Sequence, residues 1–141
     1  MNSGLILALL ASWYLVGLSV TVALVIYPAF DLVGATRWVS YHHHHVRRIA
    51  WAVGPAWLSQ AVGLVWWWRC DHFRFTTSWL SCAVFAVAAV LLTVFRAVQL
   101  HDRLTTHFDA GTTRQLRVAH WWRTACWIAA APAATVATWR R

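Results

Sequence analysis

Long apolar runs alternate with short polar segments along this chain. Residues 5 to 28 carry no charge, and about 20 apolar residues are enough to cross a bilayer. Similar runs occur at roughly 49–68, 77–99 and 114–138. The first run is too long for a signal peptide, lacks a basic start and is succeeded by three more, so it predicts a retained span. Lipid cannot satisfy backbone polar groups, so the spans are expected to be helices. Four spans joined by short loops predict an all-α, integral membrane four-helix bundle with up-down-up-down topology. One transmembrane domain is expected over residues 1–141.

Prolines and polar residues refine this pattern. Pro28 is expected to end or bend the first helix. Pro55 and Pro132 fall inside spans, where each frees a carbonyl. Residues 29–48 are too polar to span. They read as an interfacial helix or as an extension of the second span.

Composition supports a membrane protein. The chain is 60% hydrophobic and 11% charged, against about 25% charged in soluble domains. Twelve tryptophans suit the membrane interface, and Trp66, Trp67 and Trp68 read as a belt there. Trp121, Trp122 and Trp127 suit either tight packing or the wall of a flat pocket. All positive side chains are Arg and all acids are Asp, with a net charge of +8. The arginines sit between apolar runs, which points to lipid head groups or an anionic ligand and away from nucleic acid.

The arginine distribution gives an orientation. Arg37, Arg47, Arg48, Arg103, Arg114 and Arg117 lie on one side, and Arg69, Arg74, Arg140 and Arg141 on the other. The positive-inside rule places the first and third loops in the cytoplasm.

The polar residues of three segments converge under this topology. His42 to His45, Arg47 and Arg48 precede the second span. Arg96, Gln99, His101, Asp102 and Arg103 close the third, and Arg114, Arg117, His120 and Arg123 open the fourth. The run "WVSYHHHHVRRIAW" cannot act as four ligands, because successive helical residues turn by about 100°. His42 and His45 share a face, with Cβ atoms about 5–6 Å apart, and His43 and His44 read as bystanders. His101 or His120 would supply a third ligand and Asp102 an oxygen. Such a set suits a transition metal (Cu, Fe or Zn), and two histidines from different helices suit haem. The same imidazoles serve equally as acid/base groups or as a solvated cluster without a ligand.

Arg123 lies inside the fourth span, where a charge is costly and marks a functional candidate. Its bland alternative is snorkelling, or pairing with Asp102 or Asp31. Arg96 and Gln99 share a face that suits either an anionic or carbonyl ligand or a helix end. Cys82 and Cys126 read as small buried hydrophobes, and the "RCDH" of Cys70 and His72 falls short of a metal ligand set. No activated nucleophile, phosphate loop or carboxylate pair supports hydrolase, kinase or glycosidase chemistry.

Two segments carry a family resemblance. "YPAFDLVGATRWVSYHHHHVRRIAWAVGP" resembles Tyr-Pro-x-Phe, Tyr-His-x-x-His-x-x-Arg-Ile and Val-x-Pro. "QLHDRL…FDAG…LRVAHWWRTACW" resembles Gln-x-x-His-x-x-Leu, a Gly, and Asn-Trp-x-Arg-Thr-x-x-Trp. Together they resemble small four-helix bacterial membrane proteins of the DUF1772 type, which include anthrone-oxygenase-like proteins. The resemblance selects Tyr41, His42, His45, Arg48, Gln99, His101, Trp121, Arg123 and Thr124. His120 departs from it, standing where Asn is expected.

The resemblance implies an oxidoreductase or oxygenase acting on a lipid-soluble aromatic or quinone-like molecule in a bacterial inner membrane. His42, His45 and His101 would bind a metal or move protons, and Arg123 with Arg48 would hold an oxyanion or carbonyl. Gln99, His120, Trp121 and Tyr41 would line the substrate. The competing expectation is a non-enzymatic binding, transport or accessory subunit, with a membrane-protein partner or a second copy of itself.

Overall fold

The computed structural model describes residues 2–139, so Arg140 and Arg141, which entered the arginine count, lie outside the described residues. Four helical rods succeed one another: α1 (Ser3–Leu32), α2 (Ala35–Cys70), α3 (Thr77–Arg103) and α4 (Ala110–Trp139). No strand occurs among the described residues. Side chains cap three of the starts. Asn2 accepts from the Leu5 amide at 2.7 Å, Thr76 from the Trp79 amide at 3.2 Å, and Asp109 from the Thr112 amide at 2.6 Å. Hydrogen bonds from Thr112 also hold the exposed Asp109 carboxyl below its ordinary pKa.

α1, α2 and α3 are long and apolar enough to cross a membrane. α4 has the length but is not among them, because Arg114, Arg117, His120 and Arg123 interrupt its apolar residues. α2 is continuous through the histidine run, so residues 35–48 extend the second helix and do not form a separate interfacial one. It spans 36 residues, about 54 Å at the α-helical rise.

Pro28 does not end the first helix. A π turn at Val22–Ile26 precedes it, with the Tyr27 amide bonded to the Val22 carbonyl five residues back. The wider turn accommodates a residue with no N–H, and a 3-10 turn at Phe30–Leu32 closes the rod. A second π turn, Thr93–Ala97, interrupts α3 without a proline. There the Thr93 hydroxyl donates to the Ala89 carbonyl at 2.9 Å, a back-bond that loosens the helical ladder.

Neighbouring rods run antiparallel. The Asn2 amide donates to Asp71 beyond the far end of α2, at 3.2 Å. Trp13 near the start of α1 donates to Thr135 near the end of α4, at 3.0 Å. α1 packs along α2 and α4, and α4 packs along α3. Small residues bring α1 and α2 close: a Cβ on Gly4 would lie 2.3 Å from the Trp67 nitrogen, and one on Gly63 2.5 Å from the Ala8 nitrogen. Beside this contact Gln60 donates to the buried Ser12 hydroxyl at 2.9 Å. Trp67 belongs to this core, with its indole bonded to Asp71, and so leaves the expected tryptophan belt.

α2 and α3 scarcely touch. Trp79 donates to the Leu64 carbonyl at one end, at 2.9 Å. Trp38 donates to the Leu104 carbonyl at the other, at 2.8 Å. Between these two clamps the helices splay apart and leave a cleft.

Candidate functional site

The cleft between α2 and α3 has a volume of about 330 Å³. Its α2 wall carries His45, Val46, Ile49, Val53, Gly54 and Trp57, and its α3 wall carries Thr93, Val94, Ala97, Val98, His101 and Asp102. Tyr27 from α1 and Arg123 from α4 reach it from behind. Both π turns border it, through Val22 on α1 and Thr93 and Ala97 on α3. An inserted residue rotates the remainder of its helix by about 100°, so the second π turn sets which face of α3 carries His101.

Arg123 is the cation of the cleft and lies beside Thr93 on the α3 wall. Its guanidinium donates to the His120 Nδ1 at 2.5 Å and to the Thr93 hydroxyl at 3.3 Å. His120 is buried, and its Nε2 donates to the Ser19 carbonyl at 2.8 Å. These partners fix one neutral tautomer: Nδ1 must accept from arginine, and Nε2 must carry the proton. Among the described residues the one ion pair is Arg117–Asp31, at 2.6 Å. Arg123 therefore meets no carboxylate within ion-pair distance, and its Nε is buried without a partner.

A second polar chain meets the first at Tyr27. The His42 Nε2 and His101 Nδ1 are 3.1 Å apart, and the His101 Nε2 lies 3.4 Å from the Tyr27 hydroxyl. The Tyr27 ring makes edge contact with His120 at a centroid separation of 4.8 Å. His45 lies edge-on to Phe30 at 5.0 Å, with its Nε2 buried and unpartnered. His42 is buried and stacks on Trp38 at 5.3 Å. Three residues with orphaned buried nitrogens, His45, Trp57 and Arg123, thus line one cleft. Such groups call for a partner.

The metal expectation for His42, His45 and His101 does not fit this geometry. Among the described residues no group of three or more His, Cys, Asp or Glu side chains is placed to hold a metal ion. His42 and His45 share a helix face, but Phe30 packs against both rings and His42 turns onto Trp38. For haem held by two histidines of different helices, the His42–His101 pair does not fit, because the His42 Nε2 and His101 Nδ1 are in direct contact at 3.1 Å. Cys70 is exposed and likewise belongs to no such group.

The other expected residues divide. His42, His45, His101, His120 and Arg123 come together. Tyr41 is half-buried against Phe30, at 5.9 Å, behind the cleft. Arg48, Gln99 and Trp121 are exposed and not on the cleft walls, and Arg96 is exposed in the π turn. Asp31 pairs with Arg117, which also donates to the Tyr27 carbonyl at 2.9 Å. Thr124 is buried and bonds to the His120 carbonyl at 2.9 Å. His43 and His44 are exposed and line a shallow polar cleft with Ser40, Arg47 and Thr105. Sequence reasoning missed Tyr27 as a site residue, although it opens the quoted Tyr-Pro motif. No protein-family model, curated protein or solved structure matches the chain.

Proposed function

We propose that this chain is an integral membrane protein of a bacterial inner membrane that oxidises a lipid-soluble, oxygen-bearing small molecule in the α2–α3 cleft. The observation that carries this reading is Arg123, a cation on a largely apolar cleft that also carries Asp102, with no carboxylate among the described residues at ion-pair distance. α4 packs antiparallel against two helices able to span, so it crosses wherever they cross, in an up-down-up-down bundle. The first and third loops are cytoplasmic on the arginine count.

The resemblance to anthrone-oxygenase-like proteins supplies the reaction class, and the cleft supplies the means. Arg123 stabilises an enolate or phenolate oxygen of an aromatic or quinone-like substrate. His45 or His101 accepts the proton released as that oxyanion forms, with Tyr27 passing it along. Dioxygen is the oxidant: a methylene and O₂ become a carbonyl and water, with one oxygen atom in each product. No step runs through a metal. The test is oxygen uptake by purified protein given anthrone. Uptake with anthraquinone formation is expected in the wild type, about tenfold to a hundredfold slower in Arg123→Gln and lost in His101→Ala. Recovery of unchanged anthrone from folded, anthrone-binding protein would favour the binding or accessory subunit instead.

A further inference from the structure

We infer that Tyr27 is a second hydrogen-bond donor of this cleft: its hydroxyl donates to the ligand oxygen that Arg123 holds, and His101 and His42 turn it that way. The inference rests on reading the cleft as the ligand site. It gives Tyr27 the oxygen to hold and makes His42 a positioning residue.

The direction follows from one unpartnered atom. His42, His101 and Tyr27 form a chain. The His42 Nε2 meets the His101 Nδ1 at 3.1 Å, and the His101 Nε2 meets the Tyr27 hydroxyl at 3.4 Å. A neutral imidazole has one N–H and one lone pair, so the chain has two arrangements. In the first, Tyr27 donates to His101, His101 donates to His42, and the His42 Nδ1 carries a proton. In the second both bonds reverse, and the His42 Nδ1 carries a lone pair. That Nδ1 is buried and has no partner. A buried N–H without an acceptor is rarer than an acceptor short of a donor. The second arrangement is therefore favoured: His42 donates to His101, and His101 donates to Tyr27.

The Tyr27 oxygen is then an acceptor within the protein, and its hydrogen is left for the cleft that Tyr27 lines. Arg123 supports the same direction. Its positive charge acts on the Tyr27 hydroxyl, which turns the oxygen lone pairs toward it and the hydrogen away. Both residues meet His120, Arg123 by a hydrogen bond and Tyr27 edge-on at 4.8 Å, so the two donors are neighbours. A carbonyl or enolate oxygen has lone pairs for both at once. His101 shares both of its nitrogens, which leaves His45, with its unpartnered Nε2, as the imidazole to take the proton.

The test uses xanthone, which has the carbonyl of anthrone but an oxygen in place of its methylene, so it binds without being oxidised there. Affinity is read by equilibrium dialysis, and the carbonyl stretch of the bound ketone by infrared difference spectroscopy, in one detergent. Hydrogen bonds lower that stretch. In the wild type it is expected below that of xanthone in detergent alone. Tyr27→Phe removes one oxygen and keeps the ring. It is expected to return the stretch part of the way and to weaken binding about twofold to tenfold. His42→Leu is expected to act in the same direction without touching the ligand. His42→Gln, whose amide donates from the same place, should stay near the wild type. A stretch unmoved by Tyr27→Phe, or moved equally by His42→Leu and His42→Gln, would overturn the inference. Arg123→Gln separates this failure from that of the site itself. A stretch moved by Arg123→Gln but not by Tyr27→Phe removes Tyr27 and leaves the reading of the cleft standing. If Arg123→Gln changes neither readout, or the wild type binds no xanthone, that reading fails and the inference fails with it.

Discussion

Arg123 owes its direction to His120. The imidazole accepts from the guanidinium at one nitrogen and donates to the Ser19 carbonyl at the other, as a side-chain amide also can. His120→Asn is therefore expected to keep most activity, and His120→Leu to lose it by freeing Arg123 to turn. Arg123→Gln removes a charge-assisted hydrogen bond to the ligand, about 1.5–3 kcal/mol, so oxygen uptake or ligand affinity should fall about tenfold to a hundredfold. Equal loss in His120→Asn and His120→Leu would contradict the positioning role. His42, His45, His101 and Arg123 were legible in the sequence because polar groups at the ends of apolar runs are conspicuous. Tyr27 was not, since a tyrosine ending an apolar run reads as an ordinary interface anchor. Arg48, Gln99 and Trp121 were read from their places beside the polar sets as well as from the resemblance, and none of them lies on the cleft walls.

Two π turns and two glycines shape the elements around that site. Hydropathy located the helices but not their ends. α2 begins at Ala35, well before the apolar run, because Phe30, Trp38 and Tyr41 pack the histidine-bearing turns onto the end of α1. The π turn at Thr93–Ala97 had no such signal, having neither proline nor glycine. It resets the face of α3, which is why the Arg96–Gln99 pairing expected from simple spacing does not meet the site. Gly63 is a packing residue: a Cβ there would sit 2.5 Å from the Ala8 nitrogen and 2.9 Å from its Cα. That backbone cannot move aside as a side chain would. Gly63→Val should destabilise by about 1–3 kcal/mol, seen as a lower thermal unfolding midpoint in detergent. Gly17→Val, where a Cβ meets nothing within 4 Å, should leave the midpoint close to that of the wild type.

At the scale of the whole molecule, helix order decides what the chain can do. α1 and α4 form the spine, and α2 and α3 flank it without closing on each other. Four helices were legible in the hydrophobic pattern. The gap was not, because it depends on Trp79–Leu64 and Trp38–Leu104 clamping only the two ends. A lateral opening suits a ligand that never leaves the bilayer, and the exposed apolar residues Val46, Val94 and Val98 at its rim suit lipid. The proposed function places a ligand in that gap. Photolabelling tests it most directly, using a ring-diazirine phenol in protein-bearing vesicles, with adducts mapped by peptide mass spectrometry. Adducts are expected on Ile49, Val53, Val94 and Val98, and should fall when unlabelled phenol is added in excess. Labelling that instead gathers on Leu10, Trp13 and Leu24 of the outer α1 surface, or ignores the competitor, would contradict it.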